Sequence, residues 1–185
     1  MSDLEERTLW SAAWDGHASE VSSLLRDHPD INVNLENHQW TPLHVASYKG
    51  CVEVVKLLLA HPNINVNLKN ANGQTPFSLG CVGGHVPIVR LLLKDPRVDI
   101  TLDDKDGRTP LWWASRNGRH EVVEWLIASG RDLGDVRNQQ GKWMDGQDYT
   151  ALEIAREENK TEVVSLLEKF LANPAQTRHE LRVKL

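Results

Sequence analysis

Two short segments contain residues of the types that bind ions. Residues 103–109, DDKDGRT, resemble a calcium-binding loop with Gly107 at its sixth position. In that register the first and twelfth ligands fall on Leu102 and Trp113, which cannot bind calcium. Residues 79–85, LGCVGGH, lack the Gly-Lys-Ser/Thr ending and the preceding strand of a phosphate-binding loop. A hairpin turn is the better interpretation of the first segment, and the second predicts no phosphate site.

The eight histidines are scattered, and no pair has the spacing of metal ligands on one helix. His17 and His85 each follow a glycine between predicted helices, where we expect structural roles. No set of residues has the types and spacing of a catalytic site. The sequence therefore predicts no metal, no cofactor and no enzymatic activity.

Aromatic side chains are the remaining candidates, since the chain has seven tryptophans. Aromatic rings fill protein cores, and they are also preferred anchors of protein interfaces. Residues 109–118, TPLWWASRNG, carry two tryptophans side by side. Whether these rings form core or contact a partner depends on the elements that position them.

An internal repeat supplies those elements. Thr41, Thr75 and Thr109 begin three similar segments at a constant spacing of 34 residues, and weaker copies begin at Thr8 and Thr150. Each copy is followed by a second apolar segment, such as VVKLLL or IVRLLL. The unit is therefore predicted to be two short helices and a connector, which makes an all-α repeat protein.

Local signals set the ends of the first helix in each unit. An N-cap threonine can accept a hydrogen bond from a free backbone N–H, and the proline after it has no N–H to lose. Gly50, Gly84 and Gly118 end these helices, because glycine adopts positive φ without strain. Asn-Gly and Asp-Gly pairs within residues 67–74 and 101–108 predict hairpin loops between units.

These segments resemble the ankyrin repeat family, through Thr41-Pro42-Leu43-His44-x-Ala46 and the equivalent Thr-Pro pairs at Thr75 and Thr109. The resemblance covers residues 1–171. It implies a solenoid of stacked helix-turn-helix units joined by hairpin loops, with polar outer faces on the two end units. It also implies a concave face of first helices and hairpins that contacts partners, and a histidine at position 44 that hydrogen-bonds between units. We expect five units, at residues 1–34, 35–68, 69–102, 103–145 and 146–171, followed by a short basic tail at 172–185.

Two features depart from the regular repeat. Thr109 and Thr150 are 41 residues apart, seven more than the period, and the extra residues around 142–149 predict a protruding loop. Gly80 stands where the flanking units have alanine. The first helix of the third unit should therefore be the least stable, since glycine costs about 1 kcal/mol against alanine inside a helix. The basic tail either docks on the stack or stays mobile.

Alignment of the units predicts which tryptophans in the second half of the chain lie in the core and which contact a partner. Trp113 aligns with Val45 and Leu79 and is predicted to point into the core, as is Trp125 on a second helix. Trp112 aligns with a position of mixed polarity, so it is predicted to be at least partly available to a partner.

The other aromatic residues are candidates for partner contact. Trp14 and Tyr48 align with each other near the end of the first helix, a position that the family uses for contact. Trp40 occupies a position where other units have polar residues, which favours a functional role. Trp143, in the inserted loop, either contacts a partner or folds back over the last unit.

Composition restricts the partners and the compartment. Lys and Arg number 21 against 26 Asp and Glu, and the net charge of −5 argues against general affinity for nucleic acids or anionic membranes. Cys51 and Cys81 lack the spacing of a disulfide framework, and the acidic N-terminus lacks a signal sequence. A monomer in the cytoplasm or nucleus is expected, with weak self-association left open.

The predicted function is non-catalytic binding of a partner protein, whose identity the sequence does not give, through the concave face. Aromatic rings would act as anchors, and basic side chains would pair with acidic groups of the partner. The alternatives are a small-molecule site or an enzyme in a tryptophan-rich groove, and a scaffold module from a longer array. The predicted contact surface consists of Trp14, Asp15, His38, Trp40, Tyr48, Lys49, Gln74, Lys105, Arg108, Trp112, Arg116, Asn117, Trp143 and Tyr149.

Overall fold

The computed structural model describes residues 3–185, which form eleven helices and one short two-stranded hairpin. Ten of the helices form five pairs, each with a first and a second helix. The first helices are α1 (Asp3–Asp15), α3 (Pro42–Lys49), α5 (Pro76–Gly83), α7 (Pro110–Arg116) and α9 (Ala151–Glu157). The second helices are α2 (Ala18–Asp27), α4 (Val52–Leu59), α6 (Val86–Lys94), α8 (His120–Ser129) and α10 (Thr161–Ala172). Strands β1 (Gly141–Lys142) and β2 (Asp148–Tyr149) pair antiparallel, and α11 (Pro174–Lys184) ends the chain.

The predicted threonine caps begin α3, α5 and α7. α1 instead begins at Asp3, so Thr8, where the first copy of the repeat was predicted to begin, lies inside this helix. The hydroxyl oxygens of Thr41, Thr75 and Thr109 each accept a hydrogen bond from the backbone N–H three residues later, at 3.2–3.3 Å, and proline follows each threonine. Gly50 and Gly84 end α3 and α5 in the left-handed conformation, with φ of 81° and 78°. α7 ends at Arg116 with Asn117 as its C-cap, two residues before Gly118, which has a φ of 65°. The sequence signals therefore act locally, but the third glycine lies beyond the C-cap.

Stacking of the pairs builds one continuous core. First helices pack against first helices in the order α1, α3, α5, α7 and α9, and second helices pack in the order α2, α4, α6, α8 and α10. Leu43, Phe77 and Leu111 occupy equivalent buried places along the row of first helices. The all-α solenoid predicted from the repeat is confirmed. Trp125 on α8, which was predicted to point into the core, is only partly buried. The Arg90 guanidinium lies over its ring at 4.3 Å.

His44 links the second repeat to the third. Its Nδ1 accepts a hydrogen bond from the Thr41 N–H at 3.1 Å, and its Nε2 donates to the carbonyls of Leu68 at 2.9 Å and Gln74 at 3.2 Å. The residue is 1% exposed, and burial lowers the pKa of His44 to about 4. The ring is therefore neutral at pH 7, with its proton on Nε2.

Asparagine side chains connect the successive loops that follow the second helices. The Asn34 side chain donates to the Asn63 carbonyl at 2.7 Å and accepts from the Asn65 N–H at 2.9 Å. Asn67 repeats this pattern one unit later, with the Arg97 carbonyl at 2.8 Å and the Asp99 N–H at 2.9 Å. Each asparagine thus satisfies backbone groups that the loop itself leaves without partners.

The basic tail docks on the stack as α11. Leu181 is buried, Arg182 Nε donates to the Ala128 carbonyl at 2.8 Å, and Lys184 Nζ lies 2.5 Å from the carboxylate of Glu124. These contacts attach α11 to α8 as well as to α10. No helix among the described residues is long and apolar enough to cross a lipid bilayer.

Candidate functional site

Four aromatic side chains form a cluster at the N-terminal end of the first-helix face, the surface formed by the last turns of α1, α3, α5 and α7 and the hairpin loops between repeats. Trp10 and Trp14 stack with ring centroids 5.6 Å apart. Trp10 Nε1 donates to the Trp40 carbonyl at 2.7 Å, and the Trp40 ring meets Tyr48 edge-on at 5.7 Å. Trp14 and Tyr48 are 37% and 43% exposed. The two inner rings therefore fix the positions of the two outer rings.

Three tryptophans form a second cluster at the other end of this face. Trp112 and Trp113 on α7 meet edge-on at 5.3 Å, and Trp143 from the inserted loop lies 5.6 Å from Trp112. Trp112 is 1% exposed, and its Nε1 donates to the Tyr149 carbonyl at 2.8 Å. Trp113 keeps some exposed surface, and its Nε1 donates to Asp104 Oδ2 at 3.0 Å.

A groove of about 510 Å³ crosses α5 between the two clusters. We call it the α5 groove, and it is lined by Tyr48, Lys49, Val82, Gly83, His85, Trp113, Arg116, Asn117 and Arg119. Aromatic, basic and small residues therefore meet in one concave place, and four of the predicted contact residues lie together there.

Two residues that follow helix-closing glycines build one edge of the α5 groove. His85 Nε2 donates to the Tyr48 carbonyl at 2.8 Å, and Arg119 Nε donates to the Val82 carbonyl at 3.2 Å. A Cβ at Gly50 would fall 2.8 Å from the His85 ring, and a Cβ at Gly84 would fall 2.7 Å from the Arg119 side chain. The glycines thus leave space for side chains that reach back to the preceding repeat.

The two cysteines are poorly placed to act as nucleophiles. Burial raises the pKa of the Cys81 thiol strongly and that of the half-buried Cys51 to a smaller extent, which disfavours the nucleophilic thiolate. Within residues 3–185, no three His, Cys, Asp or Glu side chains come close enough together to hold a metal ion.

Two overlapping segments of the chain, residues 2–70 and 62–137, match the family model described as Ankyrin repeats (3 copies). Together they cover well over half of the 185 residues. The chain belongs to the ankyrin repeat family. No curated protein with significant similarity was found. Ankyrin repeats generally serve as protein–protein interaction modules, and ankyrin repeat proteins are typically non-catalytic.

The predicted orientation of the adjacent tryptophans in the fourth ankyrin repeat is wrong. Trp112 is buried because the inserted loop folds over it, with Trp143 against its ring and the Tyr149 carbonyl on its N–H. Trp113 is larger than the valine and leucine at its position in neighbouring repeats, so its ring extends to the surface. Trp112 therefore has no surface for a partner, whereas Trp113 lines the α5 groove.

Two other residues of the predicted contact surface have little exposed area. The Arg108 side chain is only 14% exposed, because its guanidinium pairs with Asp104 at 2.9 Å and also with Asp106. Its charge is thus already neutralised inside the hairpin, instead of facing a partner as predicted. Gln74 is 8% exposed, and its backbone groups are bonded to His44 and to the Asn70 side chain.

Other predicted contact residues keep exposed surface at separate points of the array. Asp15 lies at the end of α1, Lys105 lies in the third hairpin loop, and His38 lies in the first, where it and Gln39 have φ of 50° and 63°. Two positive φ values in a two-residue hairpin loop are typical of a type I′ turn. Trp40 is half-buried against the core, so its ring has a structural role that the sequence did not indicate.

The inserted loop of the fourth repeat is ordered by β1, β2 and a local hydrogen bond. The Tyr149 hydroxyl donates to Asp145 Oδ2 at 2.7 Å, which raises the pKa of Tyr149 to about 12 and lowers the pKa of Asp145. Trp143 is half-buried under the Arg116 guanidinium, 4.0 Å from its ring, whereas Met144 is 86% exposed. The loop therefore covers the fourth repeat, and its tip stays exposed.

Sequence reasoning missed several residues of the α5 groove, namely Val82, Gly83, His85 and Arg119. The signal was present in the ankyrin repeat alignment. His85 and Arg119 occupy equivalent positions in successive repeats, each directly after a glycine. Val82-Gly83 has smaller side chains than the equivalent pairs Tyr48-Lys49 and Arg116-Asn117.

Proposed function

We propose that this ankyrin repeat protein is a non-catalytic module that binds a partner protein through the first-helix face. The observation that supports this surface is the exposure of Trp14 and Tyr48, which lie near the ends of successive first helices. Large exposed aromatic rings on one face are typical of interaction surfaces, since their burial against a partner is strongly favourable.

The arrangement of these rings also supports binding. Trp10 stacks on Trp14, and Trp40 packs against Tyr48, so both exposed rings are held before a partner arrives. Rings that are already fixed lose little conformational entropy on binding. The ammonium group of Lys49 lies 4.7 Å from the centre of the Trp14 ring, which places a cation beside an apolar anchor.

The test is capture of partners from a lysate of the source cell, with variants of exposed residues. The Trp14→Ala/Tyr48→Ala variant removes both rings. The matched control is Glu53→Ala/Lys56→Ala, which removes an exposed pair on the second helix α4. Circular dichroism and thermal unfolding should show that all three proteins are folded.

We expect at least one protein to be retained by the wild type and by the α4 control but lost from the aromatic variant. Identical sets of captured proteins from all three baits would overturn the assignment of the first-helix face.

We further infer a monomer in the cytoplasm or nucleus that binds neither nucleic acid nor membranes. The net charge of −5 supports the lack of nucleic acid and membrane binding, because an acidic chain is repelled by phosphates and by anionic lipids. Sedimentation equilibrium would test the oligomeric state, and a concentration-dependent mass would contradict the monomer.

A further inference from the structure

The α5 groove owes its depth to the short side chains of the third repeat. α5 presents Val82 and Gly83 at the positions where α3 presents Tyr48 and Lys49. On the opposite side, α7 presents Arg116 at the position of Val82. The floor of the groove is therefore low, and its two walls carry long side chains. The Val82 side chain is the apolar part of this floor, because the His85 ring occupies the space that a Cβ at Gly83 would take. A volume of about 510 Å³ has room for one large apolar side chain together with its backbone.

All the charged side chains that line the α5 groove among residues 3–185 are basic: Lys49, Arg116 and Arg119. No carboxylate of the described part of the chain lies within 4.0 Å of the Lys49 or Arg119 cation. Arg116 has one acidic neighbour, with its Nε 3.4 Å from Glu158 Oε1. The hydrogen bond from Arg119 to the Val82 carbonyl holds a cation at the edge of the groove. A protein of net charge −5 thus concentrates positive charge at one concave site.

We propose that the α5 groove binds an extended acidic peptide segment, with one leucine or aromatic side chain placed over Val82, beside the His85 ring. This inference rests on the proposed function, because it specifies the chemistry of the partner at the same face. Carboxylates on one side of the apolar residue meet Lys49, and carboxylates on the other side meet Arg116 and Arg119.

The spacing of the helices gives the length of this segment. α5 lies between α3 and α7 and packs against both. Packed helices are about 8–10 Å apart, so the axes of α3 and α7 are separated by about 16–20 Å. An extended chain advances about 3.3 Å per residue, so about six residues span the groove.

The surroundings of the α5 groove favour a short acidic peptide over a nucleic acid. A phosphate backbone that continued beyond the groove would approach Asp15 on one side and Glu157 on the other, both of which are exposed. A peptide can confine its negative charge to the middle of the segment. The groove of about 570 Å³ near the N-terminus does not offer this complementarity, because Glu6 and Glu36 line it beside Arg7.

The test begins with selection of random dodecapeptides, displayed on phage, against the immobilised wild-type protein. The selected peptides are then synthesised with a fluorescein label, and their affinity is measured by fluorescence polarisation. Lys49→Glu/Arg119→Glu reverses the charge of the groove, and Val82→Phe fills its floor without changing charge. The control is Lys56→Glu/Lys94→Glu, which reverses two exposed charges on second helices. Circular dichroism verifies that each variant is folded.

We expect selected peptides with at least two Asp or Glu residues around one leucine or aromatic residue. The charge reversal and Val82→Phe should each weaken binding about tenfold or more, whereas the control should leave it unchanged. Glu158→Gln should tighten binding about two- to threefold, because it frees Arg116 from its acidic neighbour.

Three results would overturn the proposal. They are a selection without acidic enrichment, binding that the charge reversal leaves unchanged, and tighter binding of a labelled single-stranded oligonucleotide than of the peptides. If any of these occurs while the Trp14→Ala/Tyr48→Ala variant still loses a cellular partner, the proposed function stands and only the acidic-peptide chemistry fails.

Discussion

Lowering the pH from about 7 to about 4.5 should destabilise the protein through His44, a side chain that is almost fully buried. The neutral ring uses both nitrogens, since Nδ1 accepts from the Thr41 N–H and Nε2 donates to the Leu68 and Gln74 carbonyls. A protonated Nδ1 could no longer accept. Burial lowers the pKa of His44 to about 4 in the folded protein, whereas a histidine in an unfolded chain titrates at about 6.5.

The difference between these two pKa values gives the magnitude and the sign. Between about pH 6.5 and pH 4 the unfolded chain binds a proton that the folded protein does not, so the free energy of unfolding falls as the pH falls. Each pH unit inside this window changes it by about 1.4 kcal/mol. The slope is smaller close to either pKa, so the loss due to His44 between about pH 7 and about pH 4.5 is about 2.5 kcal/mol, a large share of the stability of an ordinary domain. Below about pH 4 this loss levels off.

Urea unfolding at a series of pH values, followed by circular dichroism, would measure this loss. Carboxylates also titrate in the window, so the matched variant is His44→Gln, whose side chain keeps a donor and an acceptor but does not titrate. The stability difference between wild type and variant should be largest at about pH 7 and should shrink by about 2.5 kcal/mol as the pH approaches 4.5. A difference that stays constant within about 0.5 kcal/mol would refute the reasoning, because His44 would then titrate alike in both states.

Three further predictions concern other parts of the chain. Gly80→Ala should raise the free energy of unfolding in urea by about 1 kcal/mol, since the new Cβ lies inside a helix and meets its nearest neighbour, Ile88, at 3.4 Å. Gly50→Ala should lower this free energy, because Gly50 has a φ of 81° and the new Cβ would fall 2.8 Å from the His85 ring. Shifts of the same sign in the two variants would contradict the argument. Asn67→Ala should lower the free energy of unfolding by about 1–2 kcal/mol, because it removes two side-chain hydrogen bonds between repeats, and an unchanged urea midpoint would show that water replaces them. Asp145→Asn should return the pKa of Tyr149 from about 12 toward 10, as followed by ultraviolet difference absorbance against the wild type, and an identical titration would mean that this carboxylate does not hold the phenol.

The sequence by itself determined the repeat, the starts of α3, α5 and α7 and the stacking pattern. Each Thr-Pro start acts through one hydrogen bond and one fixed φ, and each closing glycine acts through its lack of a Cβ. These are effects within a few residues, so they can be recognised before any tertiary contact is known. The period then repeats the same apolar face, and only stacking can bury that face.

Only the tertiary structure decided which side chains are available to a partner. Trp112 and Trp113 are adjacent in the sequence, yet their exposure depends on a loop that lies about 30 residues later and folds over the first of them. α11 docks through contacts with residues 54 and 60 positions earlier in the chain. The α5 groove exists because Val82 and Gly83 lie between longer side chains of two other repeats. A residue's type and local conformation follow from near neighbours in the chain, whereas its exposure follows from whatever packs against it in space.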